Sequence, residues 1–139
     1  MSTETNKSTT LRVHECFDRG DWAAMRALMA PGMRAYSSGI DQAQDADALE
    51  ATVRGFFSAF SQSRHLPREQ IAEGDRVATR LEWSAIHTGT FNGIPPSNRP
   101  VKMEVMVFDR YVDGRIAEHR AVFDIMGLLA QIGAVPAAA

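Results

Sequence analysis

A chain of 139 residues with a formal net charge of -2 has the size of one domain with a single core, and it lacks the basic excess of a dedicated nucleic-acid-binding protein. Hydrophobic residues make up 45% and charged residues 23%, as in ordinary globular proteins, and no apolar run approaches the roughly 20 residues that cross a bilayer. The polar N-terminus and the single cysteine, Cys16, which allows no intrachain disulfide, favour a cytoplasmic protein.

The beginning of the chain predicts two short helices and a strand. The stretch TLRVHECFDRGDWAAMRALMAP has the apolar spacing of two helices, with Gly20 ending the first and Asp21 capping the second. Pro31 and Gly32 are expected to end the second helix. The segment MRAYSS that follows is predicted to be a short strand, and it carries Tyr36.

A third helix is predicted over DADALEATVRGFFSAF, because its apolar residues recur at helical spacing. This stripe either packs in the core or, if the helix covers a cavity, supplies an apolar lining. Its members are Leu49, Val53, Phe56, Phe57 and Phe60. Residues 1–8 and 134–139, at the two ends of the 1–139 domain, are expected to be frayed.

The second half of the chain changes to the period of strands. Four segments rich in Val, Ile and aromatic residues predict strands: LPREQIAE, RVATRLEWSAIHT, VKMEVMVFDRYV and RIAEHRAVFD. Gly74-Asp75 and Asp113-Gly114 mark turns between them. Helices followed by an antiparallel sheet predict an α+β fold. A strongly curved sheet would wrap the third helix and leave a pocket between them.

Several segments carry a family resemblance: EGDRVATR, HTGTFNGIPPSNRPV, DGRIAEH and the C-terminal pattern D..GLL.QIG. From about Leu11 to Gly133 the chain resembles the SnoaL-type polyketide (ester) cyclases of the nuclear-transport-factor-2-like superfamily. The resemblance implies a cone-shaped, curved antiparallel sheet wrapped around N-terminal helices and enclosing an apolar pocket. It also implies intramolecular aldol-type ring closure without metal or organic cofactor, with the aspartate at Asp124 as general acid/base.

The resemblance further implies a homodimer that pairs through the outer face of the sheet. Alternation along the last two strands places Met106, Phe108 and Phe123 on the face opposite Asp124, in agreement with such an interface, and His119 falls on the same outer face. The family commonly carries Trp where this chain has Arg120, so the ligand is expected to differ from a flat polyketide.

The environment of Asp124 follows from the register of the last hairpin. A two-residue Asp113-Gly114 turn would place Met103 opposite Asp124 and Val105 opposite Val122, on one face of the sheet. Burial among these apolar side chains would raise the pKa of the Asp124 carboxyl and suit it to proton transfer. The alternative is that Asp124 caps the helical turn IMGLLAQ, where accepting N–H bonds would lower its pKa.

Arg120 has two interpretations in the same register. It either joins Glu118 and Asp109 in a charged cluster at the mouth of the pocket, or it binds an anionic group of the ligand. His87 falls on the inward face with Trp83, and it either contacts a ligand oxygen or holds the glycine-rich loop that follows.

The candidate site therefore has one catalytic residue and eight binding residues. Asp124 is the catalytic candidate; the substrate-binding candidates are His87, Arg120, Trp83, Tyr36, Met103, Val122, Phe56 and Phe60. No metal site is expected, because the four histidines are scattered without ligand spacing. The expected partner is a small apolar molecule, with no nucleic acid and no membrane.

Three functions remain open. The first is a cofactor-free cyclase or isomerase acting on a polyketide-like ester through Asp124. The second is an epoxide hydrolase or hydratase, which would need an Asp–Arg–Asp arrangement such as Asp109, Arg120 and Asp124. The third is a non-catalytic protein that binds an apolar ligand in the same pocket.

Overall fold

The computed structural model describes residues 2–134; Met1 and residues 135–139 lie outside it. The elements follow in the order α1 (Thr3–Arg19), α2 (Trp22–Ala27), β1 (Met29–Ser37), α3 (Ala46–Ser58), β2 (Phe60–Glu73), β3 (Arg76–His87), β4 (Pro100–Val112), β5 (Arg115–Phe123) and α4 (Ile125–Gln131). The predicted α+β class, with N-terminal helices against a curved sheet, is confirmed.

The helix ends follow the capping rules, with two corrections. Asp21 caps α2 as predicted, because its side chain accepts a hydrogen bond from the backbone N–H of Ala24, and Gly20 ends α1 in the left-handed conformation at φ 67°. Residues 3–8, expected to be frayed, form the first part of α1, and Ser2 caps this helix at its start. Pro31 and the following glycine do not end α2 but lie within β1, where the register of that strand shifts.

The sheet is mixed, and this corrects the expected antiparallel sheet. Its strand order is β1-β5-β4-β3-β2; β1 runs parallel to β5, and the other pairs are antiparallel. Since α3 carries the chain from β1 at one edge to β2 at the other, no hairpin turn sets the direction of β1. Two-residue connections, Gly74-Asp75 and Asp113-Gly114, join β2 to β3 and β4 to β5 and enforce antiparallel pairing, whereas a loop over residues 88–99 joins β3 to β4.

The β4–β5 hairpin begins as predicted and then departs from the predicted register. Asp113 and Gly114 have φ values of 50° and 77°, the conformation of the tight turn that favours Asp-Gly. Val112 pairs with Arg115, and the next residue of each strand also pairs as expected. Beyond this point one extra residue, Ala117, is inserted in β5 without a partner in β4, so the strand contains a β-bulge.

The bulge reverses the two faces of the rest of β5. Val105 pairs with Phe123 and Met106 pairs with Val122, so the predicted pairs of Val105 with Val122 and of Met103 with Asp124 are wrong. Because side chains alternate along a strand, a shift of one residue exchanges every inward and outward side chain. His119 therefore faces the helices.

Two groups of buried apolar residues hold the helices on the sheet. One group includes Trp83, Val105 and Leu128, where α3 and α4 cover the centre of the sheet. The other includes Val13 and Ile116, where α1 and α2 cover the side of the sheet next to β1. The candidate pocket lies between the helices and the sheet and takes its walls from both groups.

Candidate active site

An apolar cavity of about 100 Å³ lies between α1, α3 and the inner face of the sheet. Three of the predicted binding residues, Phe56, Trp83 and Met103, line it. Helix α3 supplies one wall because its apolar stripe faces the sheet, as the helical spacing predicts. The lining residues outside α3 are His14, Phe17, Ser37, Ile40, His65, Trp83, Met103, Val105, His119, Ala121 and Phe123.

Three other predicted binding residues do not line the cavity. Phe60 is buried behind the wall, with its ring centroid 5.0 Å from that of Trp83. His87 is fully buried, and its Nδ1 accepts a hydrogen bond from the backbone N–H of Ser97 at 3.1 Å. This contact holds the loop after β3, which is the structural alternative for His87. Tyr36 lies under the guanidinium of Arg120, 4.0 Å from the ring centroid.

Asp124 lies outside the cavity. It is exposed and caps α4, with Oδ1 accepting a hydrogen bond from the backbone N–H of Gly127 at 2.9 Å. This is the capping arrangement that the sequence left open, and the predicted apolar surroundings of Asp124 are wrong because of the bulge. Val122 is 62% exposed on the outer face for the same reason.

Arg120 also points away from the cavity. It is exposed, and its Nε lies 2.8 Å from Oε1 of Glu118 on the outer face. The expected contact with Asp109 is absent, because Asp109 is buried on the inner face. An Asp–Arg–Asp arrangement made of Asp109, Arg120 and Asp124 is therefore not assembled in the cavity.

The buried acid of this site is Asp109 on β4. Its carboxylate is 0% exposed; Oδ1 accepts a hydrogen bond from Nδ1 of His119 at 2.6 Å, and Oδ2 accepts one from the hydroxyl of Thr10 at 2.8 Å. Since the Thr10 hydroxyl hydrogen points to Asp109, the Tyr111 hydroxyl donates to Thr10 Oγ1 at 2.6 Å. Burial, followed by the charge of Asp109, raises the pKa of Tyr111, which stays protonated.

The hydrogen bond to Asp109 determines which ring nitrogen of His119 carries the hydrogen. A carboxylate can only accept, so Nδ1 of His119 carries the hydrogen and Nε2 holds the free lone pair when the ring is neutral. The ring of His119 lines the cavity, and the bulge at Ala117 is what turns it inward. The pair thus presents a base held in one orientation by a buried acid.

The histidine of a second carboxylate–histidine pair lines the same cavity. Nδ1 of His65 on β2 lies 2.8 Å from Oδ1 of Asp18 on α1, and Oδ2 of Asp18 accepts the backbone N–H of His65 at 2.8 Å. The Ser63 hydroxyl donates to Oδ1 at 2.7 Å and in turn accepts from Nε1 of Trp83 at 2.9 Å. These bonds fix the His65 ring against the cavity wall.

A third histidine, His14, lies between the two pairs. Its ring centroid is 5.0 Å from that of His65 and 6.2 Å from that of His119, and its Nδ1 donates to the backbone carbonyl of Thr10 at 2.9 Å. Burial, and then the nearby His65 and His119 rings, lower the pKa of His14 well below 6.5. His14 is therefore neutral at pH 7.

The placement of these histidines was not predicted from the sequence, for identifiable reasons. His14 and Asp18 are four residues apart on a helix, so they share one face, and this spacing was available in the sequence. The position of His119 was not available, because nothing in the hairpin turn signals a bulge three residues later. In residues 2–134, no cluster of three His, Cys, Asp or Glu side chains has the arrangement of a metal site.

The arrangement supports proton transfer to and from a small apolar molecule. Apolar walls exclude water, while two imidazoles with fixed orientation offer a lone pair or a proton at the cavity surface. None of the helices formed by residues 2–134 has the length and apolar character that crossing a membrane requires.

Comparison with known proteins identifies a family. The family model "SnoaL-like polyketide cyclase" matches residues 7–132. Aklanonic acid methyl ester cyclase DnrD of Streptomyces peucetius is 33% identical over 88 residues, covering 63% of this chain and 61% of the relative. Nogalonic acid methyl ester cyclase of Streptomyces nogalater is 35% identical over 77 residues, covering 55% of this chain and 58% of the relative. The matches thus span less than two thirds of the length of either relative.

A solved structure extends the likeness to nearly the whole chain. AclR from Streptomyces galilaeus superimposes with a TM-score of 0.89 at 27% sequence identity, covering 99% of this chain and 91% of that protein. The curved mixed sheet and the helices that cover it are therefore shared.

Proposed function

Because the chain belongs to the SnoaL-like polyketide cyclase family, we propose that it is a cofactor-free enzyme that closes a ring in a small apolar carbonyl compound by acid/base catalysis. His119 is the base and Asp109 holds it in place. The observation that carries this proposal is the hydrogen-bonded pair of Asp109 and His119, buried at an otherwise apolar cavity. The family resemblance predicts catalysis by Asp124 instead, and this stays an alternative prediction.

The proposed reaction begins with removal of a proton from the carbon next to a carbonyl group. Nε2 of His119 accepts this proton, and the positive charge that develops on the ring is stabilised by Asp109, 2.6 Å from Nδ1. The enolate carbon then attacks a second carbonyl group of the same molecule, and that oxygen takes up a proton.

The size of the cavity limits the proposed substrate. Two relatives are named as cyclases of aklanonic and nogalonic acid methyl esters, so an ester or ketone with a second carbonyl group is the proposed class. Enclosed apolar cavities of about 150 Å³ hold a single benzene ring. A cavity of about 100 Å³ therefore favours a substrate near the size of one ring, or a larger substrate that displaces Phe56 and its neighbours.

A simple diketone tests the proposal. Heptane-2,6-dione has acidic hydrogens next to a carbonyl and closes to a six-membered ring by an intramolecular aldol reaction. In deuterated buffer, proton NMR follows replacement of these hydrogens and formation of the ring. The wild-type protein is expected to accelerate exchange, and His119→Asn, which keeps a donor toward Asp109, is expected to lose about 10²–10⁴-fold. Tight binding of the diketone without exchange would favour the non-catalytic binding protein.

We also propose that the protein forms a homodimer through the outer face of the sheet. Four large apolar side chains are exposed there: Ile71, Met106, Phe108 and Val122. Phe123, expected on this face, instead lines the cavity because of the bulge. Exposed apolar patches of this kind mark protein–protein contacts. Light scattering after size-exclusion chromatography tests the proposal, and a monomer at all concentrations would overturn it.

The cytoplasm is the proposed location. The only cysteine of the chain, Cys16, is buried and reduced, and it fits a compartment that does not form disulfides. Fractionation of cells that express the protein would test this, and recovery outside the cytoplasm would contradict it.

A further inference from the structure

The pair of His65 and Asp18 has no role in the proposed removal of a proton by His119, although it lines the same cavity. More hydrogen bonds hold this pair in place than packing of a histidine requires. Asp18 receives the backbone N–H of His65, the ring Nδ1 of His65 and the Ser63 hydroxyl, all within 2.8 Å. Three hydrogen bonds to one carboxylate of α1 thus hold the imidazole ring of β2 against the cavity.

The hydrogen bond to Asp18 leaves one ring nitrogen of His65 for a ligand. Nδ1 of His65 is bound to Asp18, so Nε2, on the other side of the ring, is the atom available to a ligand. The ring lines the cavity, as does the ring of His119, and His14 lies between them. A bound molecule can therefore meet one imidazole Nε2 at each of two positions.

The two pairs differ in their access to solvent. The side chains of His119 and Asp109 are 3% and 0% exposed, whereas those of His65 and Asp18 are 6% and 19% exposed. Asp18 and Ser63 also line an open cleft on the surface, next to the cavity. Asp18 therefore keeps contact with solvent at this cleft, whereas Asp109 does not. His14, whose ring lies near both histidine rings, is neutral at pH 7.

We propose that His65, held by Asp18, is the second proton-transfer residue of the cavity and donates a proton from Nε2 to the carbonyl oxygen that is attacked. This inference rests on the proposed function and assigns its acid. The carbon–hydrogen bond gives its proton to His119, a carbon–carbon bond forms, and the former carbonyl oxygen takes the proton of His65. His119 then releases one proton and His65 takes one up from water, so no oxidant or other reactant is needed. Asp18 is a positioning residue.

The diketone separates the two roles. Exchange of the hydrogens of heptane-2,6-dione in deuterated buffer requires only the base, whereas ring closure also requires protonation of the oxygen. His65→Asn keeps a donor toward Asp18 and removes Nε2. This variant is expected to exchange hydrogens within about threefold of the wild-type rate and to lose ring closure by about 10²–10⁴-fold. His119→Asn is the matched control and is expected to lose both.

Each outcome decides between defined alternatives. Loss of exchange in His65→Asn, or retained ring closure, would overturn the role of His65 and leave the proposed function standing. A wild-type protein that exchanges hydrogens but closes no ring would overturn ring closure and the role of His65, and would leave only proton removal by His119 standing. A wild-type protein that does neither would overturn the proposed function and this inference with it. If His65→Asn does not fold by circular dichroism, Asp18→Asn replaces it, with the same expected split between exchange and ring closure.

Discussion

Replacing Asp109 by Asn tests whether the buried acid supports catalysis. The Asp109 carboxylate accepts hydrogen bonds from His119 at 2.6 Å and Thr10 at 2.8 Å, and Asn has only one oxygen with which to accept them. A charge-assisted hydrogen bond contributes about 1.5–3 kcal/mol and a neutral one about 0.5–1.5 kcal/mol. Replacing two charge-assisted bonds by two neutral ones therefore lowers the free energy of unfolding by roughly 2–3 kcal/mol. Because Asn is neutral, the variant no longer has the cost of burying a charge, and this offsets part of the loss.

The expected effect of Asp109→Asn on catalysis is larger than its effect on stability. Without the negative charge at Nδ1, the His119 ring loses the stabilisation of its charged form. An amide that turns its NH₂ toward the ring also forces the hydrogen onto Nε2. Exchange of the heptane-2,6-dione hydrogens should fall about 10²–10⁴-fold, equal to about 2.7–5.5 kcal/mol of barrier. Urea unfolding, measured beside the exchange rate, shows whether the variant is folded.

Asp124→Asn is the matched control for this variant. Asn caps a helix as well as Asp does, and position 124 is exposed, so the unfolding free energy should change by no more than about 0.5 kcal/mol. The exchange rate should not change. Loss of exchange in Asp124→Asn, with exchange retained in a folded Asp109→Asn, would refute the reasoning and favour the family expectation for Asp124.

Three further predictions address the bulge, the buried histidine and the outer face. Deletion of Ala117 would restore the simple hairpin register and turn Arg120 inward. The variant should therefore lose its cooperative thermal unfolding, measured by circular dichroism. An unchanged melting curve would contradict the importance of the bulge. Folding lowers the pKa of His14, so below pH 6.5 the unfolded chain binds a proton that the folded chain does not. The free energy of unfolding therefore decreases as the pH decreases below 6.5, by up to about 1.4 kcal/mol per pH unit. Urea unfolding at pH 7, 6 and 5 should show a smaller decrease in unfolding free energy for His14→Asn than for the wild-type protein. An equal decrease per pH unit in both proteins would argue against His14 as the cause. Met106→Glu places a charge in the proposed interface and should shift light scattering toward a monomer, whereas Glu104→Gln, on the same face at β4, should not.

The sequence predicted the elements whose signals are local. The caps at Asp21, the apolar stripe of α3 and the Asp113-Gly114 turn all depend on residues within a few positions of one another. The parallel pairing of β1 depends on a contact between distant parts of the chain, and its direction has no turn to signal it. Sequence patterns of short range could not supply it.

The candidate site was predicted in part, for a related reason. Phe56, Trp83 and Met103 were placed correctly in the wall, because they lie on elements whose faces follow from apolar spacing. Asp124 and Val122 were placed on the wrong face, because one unpaired residue at Ala117 reverses everything that follows it in β5. The bulge thus turns Asp124 away from the cavity and brings His119 to the inner face beside Asp109.

A crystal structure of the protein with 3-hydroxy-3-methylcyclohexanone, the ring-closure product of heptane-2,6-dione, tests the central claim most directly. The proposed site predicts the ring against Phe56 and Trp83, with the carbon skeleton against His119 and the hydroxyl oxygen within hydrogen-bond distance of Nε2 of His65. The hydroxyketone bound at the surface beside Asp124, with the cavity left empty, would contradict the assignment of the site to the two carboxylate–histidine pairs.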